Sequence, residues 1–395
     1  MTAGVRPGLP PGRTPAARRI RVLVVDDSVV VRRLVVDALR DDPQIVVVGT
    51  AADGRAALAK IAELRPDAVT MDVEMPGMNG IEAVRELRRT QQWLPVVMFS
   101  TLTERGATAT LDALSAGASD YVTKPSNVAS ILDSRRSVRD QLVPKLRALT
   151  AARGLGGALP PAPPAPVAGR LPAPAPGGSS PAAVAVRPSP RRRSRTGFAV
   201  LAIGCSTGGP DALAAVLPAL PADLPVPVVV VQHMPPVFTR LLADRLDGQC
   251  KVGIAEAAHG EPLEPGRVLI APGGHHLVVR RRGTTVVAEL TEDPPENFCR
   301  PAVDVLFRSV SVVYGERVLA AVLTGMGRDG ERGATAVRAA GGQVYAQDEA
   351  TSVVWGMPGA VAAAGQADRI LPLPQIGPHL SAALSGTPPL LAVGP

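Results

Sequence analysis

Over the first 130 positions, short runs of aliphatic and β-branched residues alternate with stretches whose apolar residues recur at helical spacing. Ile20-Arg-Val-Leu-Val-Val25 reads as a buried strand, and Ser28 is placed to cap a helix reaching about Arg40. Ile45–Val48 precedes a helix over 54–64, Asp67–Asp72 a loop and a helix over 80–89, and Pro95–Ser100 a helix around 108–116. Asp120–Pro125 closes the series, followed by a helix to about Leu149. Five strand–helix units predict a doubly wound parallel sheet.

A second α/β series starts at Gly197, with strands at Ala199–Gly204, Val226–Val231, Arg267–Ala271, Arg317–Leu323 and Gln343–Ala346. His276–Arg282 and Thr284–Leu290, either side of Arg282-Gly283, read as an inserted hairpin. Between the two series eleven of the 31 residues from Pro160 to Pro190 are proline. Such a segment is an extended tether of about 3.1 Å per residue, so the folded parts are tethered and the linker itself gives no sign of rigid docking. The expected organisation is a first domain over 20–140, a linker over 141–196, a second domain over 197–383, and disordered tails at 1–19 and 384–395.

The net charge of +7 suggests a nucleic-acid partner until its location is considered. Residues 1–19 carry four arginines and 151–196 seven, with no acid in either stretch; elsewhere 31 basic residues face 35 acids. The folded parts are therefore mildly acidic. Aromatic residues are only 3% of the chain, too few for base-stacking platforms, and there is no helix-turn-helix or zinc-knuckle pattern, so no nucleic-acid partner is expected. The Arg191–Arg195 run suits either an acidic docking surface or plain solvation. Three widely spaced cysteines, Cys205, Cys250 and Cys299, predict buried thiols in a reducing compartment. Without an 18-residue apolar run or a signal-peptide core, the expectation is a cytoplasmic protein with no membrane insertion.

Ligands of doubly wound sheets bind beyond the carboxyl ends of the strands, where the first series carries Asp26, Asp27, Asp72, Ser100 and Lys124. Three carboxylates at one edge call for a hard divalent cation such as Mg²⁺, and a lysine with a hydroxyl suits a phosphoryl group. The stretches V-V-D-D-S, M-D-V-E-M-P-G-M-N-G and Y-V-T-K-P resemble a two-component receiver domain over about 20–140. The resemblance implies a flavodoxin-like fold phosphorylated on Asp72 by a histidine kinase. It also implies Mg²⁺ bound directly by Asp27 and Asp72 and through water by Asp26, with Ser100 and Lys124 on the phosphate.

In the second series, Gly204-Cys-Ser206-Thr-Gly208 fits either a nucleophile elbow or a glycine turn that cradles phosphate. Two further strand ends bear on the choice: His233 follows the run Val228–Gln232, and Asp329 lies in the glycine-rich loop after Val318–Leu323. A serine hydroxyl needs a base such as imidazole, and a carboxylate behind the imidazole fixes its tautomer. The order Ser, His, Asp differs from that of α/β-hydrolases. Backbone N–H groups at Thr207 and Met326 are candidate oxyanion donors. No spacing suggests zinc, and no cofactor is expected for this site.

The stretches I-G-C-S-T-G-G-P, V-Q-H-M-P, C-R-P-A-V-D-V-L-F and L-T-G-M-G-R-D-G together resemble the catalytic domain of the CheB family of chemotaxis methylesterases. That resemblance implies hydrolysis of glutamate γ-methyl esters on chemoreceptors, and deamidation of receptor glutamines, through Ser206, His233 and Asp329 under receiver control. Two alternatives remain: a non-catalytic, phosphorylation-dependent receptor-binding scaffold, and a methylesterase of a chemosensory pathway other than motility.

Overall fold

Five strands of the computed structural model, which describes residues 18–125, 130–152 and 197–385, form a parallel sheet in the order β2-β1-β3-β4-β5. They are β1 (Ile20–Val25), β2 (Ile45–Ala51), β3 (Ala68–Asp72), β4 (Val96–Ser100) and β5 (Asp120–Thr123). The order is that of a flavodoxin-like sheet. Helices α1 (Val29–Arg40), α2 (Gly54–Leu64), α3 (Gly80–Thr90), α4 (Glu104–Ser115) and α5 (Ile131–Ala151) cover its faces. Ser28, Asp53 and Thr103 cap α1, α2 and α4, and Asn79 with Glu82 forms a capping box on α3. Helix α5 runs on past residue 140 to Ala151, so the segment expected as linker begins as helix.

The second sheet has seven parallel strands in the order β14-β13-β12-β6-β7-β9-β8. In chain order the elements are β6 (Val200–Cys205), α6 (Gly209–Val216), β7 (Val228–Gln232), α7 (Phe238–Asp247), β8 (Gly253–Glu256) and β9 (Arg267–Ile270). The hairpin β10 (His276–Arg282) and β11 (Thr285–Thr291) follows, then α8 (Val303–Tyr314), β12 (Val318–Val322), α9 (Glu331–Ala339), β13 (Gln343–Gln347), α10 (Met357–Ala363), β14 (Arg369–Leu371) and α11 (Leu373–Leu384). The central strands β6, β7 and β12 are buried along their whole length, which is why they read as unbroken apolar runs. The edge strands β8 and β14 were not anticipated: they are four and three residues long, with partly exposed and charged positions that give no apolar run.

The two domains are docked, which the composition of the linker does not reveal. Tyr121 of β5 stacks on Phe238 at the start of α7, with ring centroids 4.7 Å apart and 6° between planes. Helix α4 packs on α6 and α7, flanked by the ion pairs Arg240–Glu104 and Arg245–Asp112. On the other face of the receiver sheet, Val354 and Met326 join the apolar cluster formed by α1, β1 and α5. A tether's composition sets its reach and says nothing of the surfaces at its ends. The expected tails, the proline-rich stretch and Arg191–Arg195 lie outside the described residues, apart from the few positions at their inner ends.

The start of α3 lies directly on β3. A Cβ at Gly80 would stand 2.0 Å from the Asp72 carbonyl oxygen, which is backbone and cannot swing aside. Gly80→Ala is therefore expected to destabilise the receiver domain by about 1–3 kcal/mol, read from urea melts followed at the first transition. An unchanged midpoint would show that α3 does not hold β3 in this way.

Candidate active site

Strand β6 ends in a tight turn closed by a hydrogen bond from Gly209 N to Ser206 O at 2.8 Å, with Gly208 left-handed at φ 77°. Pro210 then enters the first turn of α6. A side chain at Gly209 would run into Gln232 Oε1 at 1.8 Å. Gln232, buried at the end of β7, donates Nε2 to the Ser206 carbonyl at 3.0 Å and to that of His233 at 3.2 Å. This side chain ties the strand that carries the serine to the strand that carries the histidine. The V-Q-H signal was visible in sequence, but the role of its glutamine was not.

His233 and Asp329 are brought together as expected, with Nε2 2.7 Å from Asp329 Oδ2. Asp329 is held from several sides. Its Oδ2 also accepts from Val303 N at 2.6 Å, and its Oδ1 accepts from Asp304 N at 3.0 Å, Gly330 N at 3.0 Å and Asn297 Nδ2 at 2.9 Å. Two of these donors are the first N–H groups of α8, the positive end of that helix. Burial alone would raise the Asp329 pKa, but the His233 imidazolium and these N–H groups outweigh it and hold it low. Asp304, beside it, is pushed up by burial and by the charge of Asp329, with Gly333 N and Asn297 offsetting part of the effect. Burial would lower the His233 pKa; hydrogen bonding to Asp329, reinforced by Cys299, raises it to about 10.

Asn297 and Cys299 are site residues that the sequence did not single out. Both lie in a loop without periodicity, and only the fold shows that Cys299 Sγ reaches His233 Nδ1 at 3.5 Å. Of the three cysteines expected to be buried, Cys205 is, whereas Cys250 and Cys299 are partly exposed.

Ser206 lies against the loop after β12: its N–H donates to Thr324 O at 3.0 Å, and a Cβ on Gly325 would fall 2.8 Å from the Ser206 Cβ. Thr324 Oγ1 donates to the Thr207 carbonyl at 2.9 Å, which locks the loop to the turn. Among the described residues neither the Thr207 nor the Met326 N–H has a protein acceptor. Ser206 Oγ makes no hydrogen bond to His233, whose second ring nitrogen is taken by Cys299.

In the receiver, oxygens of Asp26, Asp27 and Asp72 lie within 4.8 Å of one another. Asp26 Oδ2 is buried without a hydrogen bond, although Lys124 Nζ is 3.1 Å away. Burial, with a contribution from Asp26, raises the Asp72 pKa to about 6 even though Lys124 Nζ sits 2.8 Å away. This donor set suits a hard divalent cation. Lys124 is thus where the sequence placed it, whereas Ser100 Oγ, at the end of β4, donates to Gly106 O in the first turn of α4 at 3.0 Å.

His233 faces the first domain across the domain boundary. His233, Met234, Gly274, Cys299 and Arg300 line one wall of a cleft of about 470 Å³, whose other wall is Tyr121, Thr123, Gln141 and Lys145 of the receiver. Beside it Thr207, the neighbour of Ser206, donates its hydroxyl to Asp120 Oδ2 at 2.5 Å. Lys145 Nζ holds Asp120 Oδ1 at 2.7 Å. Strand β5 is therefore placed against the neighbour of Ser206 and, through the cleft, opposite His233.

Comparison with known proteins agrees with this architecture. Residues 201–380 match the family model described as CheB methylesterase, and residues 22–135 that of the response regulator receiver domain. A protein-glutamate methylesterase/protein-glutamine glutaminase of a Nocardioides species is 55% identical over 94% of this chain and 97% of its own length. Its namesake in Trichodesmium erythraeum is 46% identical over 92% and 98%. The solved catalytic domain of Thermotoga maritima CheB methylesterase is 41% identical, covers 49% of this chain and 100% of its own, and has a TM-score of 0.47. With both domains matched in order, and nearly its full length shared with relatives of one name, the chain belongs to the CheB methylesterase family.

Proposed function

We propose that this chain is a phosphorylation-regulated protein-glutamate methylesterase, with glutamine deamidase activity, that acts on chemoreceptors through Ser206. The observation that carries the reading is the His233–Asp329 pair at 2.7 Å, with Asp329 buried behind a half-buried His233, beside the Ser206 turn. A non-catalytic scaffold would have no use for a carboxylate held by five hydrogen bonds behind an imidazole.

Ser206 Oγ attacks the γ-carbonyl carbon of the ester and gives its proton to His233, whose imidazolium Asp329 stabilises. The oxyanion of the tetrahedral intermediate is received by the Thr207 and Met326 N–H groups. His233 returns the proton to the departing methoxide, and methanol leaves. Water then repeats the sequence on the acyl-enzyme and releases the glutamate. With glutamine the leaving group is ammonia. For the proton to pass, His233 Nδ1 must exchange its contact with Cys299 for one with Ser206, a tightening expected once substrate enters.

Regulation follows from the seam. Asp26, Asp27 and Asp72 would hold Mg²⁺, which when bound supplies positive charge for phosphoryl transfer from the histidine kinase to Asp72. A phosphoryl group on Asp72 draws Ser100 and Lys124 toward it; Ser100 ends β4 and Lys124 directly follows β5. Movement there strains the Tyr121–Phe238 stack and the Thr207–Asp120 bond, and the cleft opens.

Ser206→Ala is expected to abolish methanol release from methylated receptor membranes with an unchanged melting temperature; residual turnover near wild type would remove the serine from its role. Since the base must be neutral, the rate should climb with pH as His233 sheds its raised-pKa proton. Asp329→Asn removes the main cause of that shift, so the pH–rate limb should move to lower pH while the maximum falls by up to about 10⁴-fold; a limb that stays in place would mean Asp329 does not set the base. Tyr121→Ala is expected to raise the activity of the unphosphorylated full-length protein toward that reached with acetyl phosphate and Mg²⁺, a rise that Asp72→Asn should prevent in the otherwise native chain. Equal basal rates in wild type and Tyr121→Ala would show that the seam does not restrain the enzyme.

A further inference from the structure

The loop that supplies Asn297 and Cys299 also carries a side chain that no part of the mechanism uses. Glu296 and Cys299 exchange both backbone hydrogen bonds, at 3.1 and 2.9 Å, and so close a two-residue turn over Asn297 and Phe298. Both central residues are left-handed, with φ of 53° and 64°. Asn tolerates that conformation, and the second position of such a turn ordinarily belongs to glycine. A phenylalanine there is strained, and its relative exposure is 103%, so no contact among the described residues compensates it. The base of the turn is firm: Asn297 Nδ2 holds Asp329 and Asp304 at 2.9 and 3.0 Å, Cys299 touches His233, and Arg308 grips Glu296 through two bonds of 2.8 and 2.5 Å.

We propose that Phe298 is a docking contact for the receptor polypeptide, seating against an apolar side chain near the glutamate methyl ester. The inference rests on the methylesterase reading. The two neighbours of Phe298 touch the histidine and the aspartate of the site, so a polypeptide that delivers a side-chain ester to His233 must lie within reach of the ring. A rigidly mounted, solvent-exposed aromatic side chain is the type that carries affinity in protein recognition. The ring is exposed while the receiver covers the cleft, so it is available to the receptor before the cleft opens.

The test uses the full-length protein, phosphorylated with acetyl phosphate, on two substrates: methylated receptor membranes and the γ-methyl ester of N-acetylglutamate amide. Phe298→Ala should raise KM for the receptor about five- to tenfold with kcat nearly kept, leave the rate on the small ester close to wild type, and be rescued by Phe298→Trp. Three results overturn the proposal: an unchanged receptor KM, a small-ester rate that falls in parallel, which would assign the turn to holding Asn297 and Cys299, or a change confined to self-association in sedimentation. A wild-type protein that releases no methanol from either substrate would overturn the methylesterase reading and the docking contact with it. Wild-type turnover with an unaltered Phe298→Ala KM removes the docking contact alone.

Discussion

Everything at the candidate active site depends on keeping one carboxylate charged while it is buried. Asp329 is 2% exposed, and an isolated carboxylate in such a place would take up a proton. It remains an acceptor because α8 begins there. The first N–H groups of that helix have no partner within the helix, and the chain aims them at the carboxylate together with Gly330 N, the Asn297 amide and the His233 ring. That arrangement in turn requires α8 to come close to β6, and Gly204 permits it: a Cβ there would lie 2.3 Å from Val303 Cγ1. The glycine of the serine-bearing strand and the charge behind the histidine are thus parts of one packing solution.

How much of this was legible in the sequence follows from the same physics. Parallel strands buried on both faces write themselves as apolar runs, and the residue ending such a run stands at the functional edge of the sheet. That is why Asp72, Lys124, Ser206, His233 and Asp329 could be picked out together and why the structure finds them at two clusters. Asn297 and Cys299 had no such marker, because a loop has no period and its side chains are placed by a turn whose geometry depends on distant partners. Ser100 was correctly set at a strand end, yet its hydroxyl bonds Gly106 O, a local alternative that residue type cannot reveal. The short edge strands β8 and β14 fall below the length at which alternation can be read.

The composition of the linker leaves the docking of the two domains open. Proline content describes how a chain fills space when nothing holds it, whereas docking depends on complementary surfaces scattered along both domains. Tyr121 and Phe238 each look like core residues of their own sheet, and only the assembled structure shows that they stack on each other across the boundary. The edge strand β5, which would otherwise present unpaired backbone, is placed against the second domain together with α4.

The bond from Thr207 to Asp120 has a consequence for how such proteins change over generations. The threonine adjoins the serine and the aspartate opens the edge strand of the receiver, so drift at either position is felt in both domains. Receivers in general are exchangeable parts, grafted onto many outputs. Here the two form a matched pair: a receiver borrowed from a distant relative would bring an edge strand shaped to another threonine's surroundings, and the hybrid would lose this bond between domains before it lost either fold.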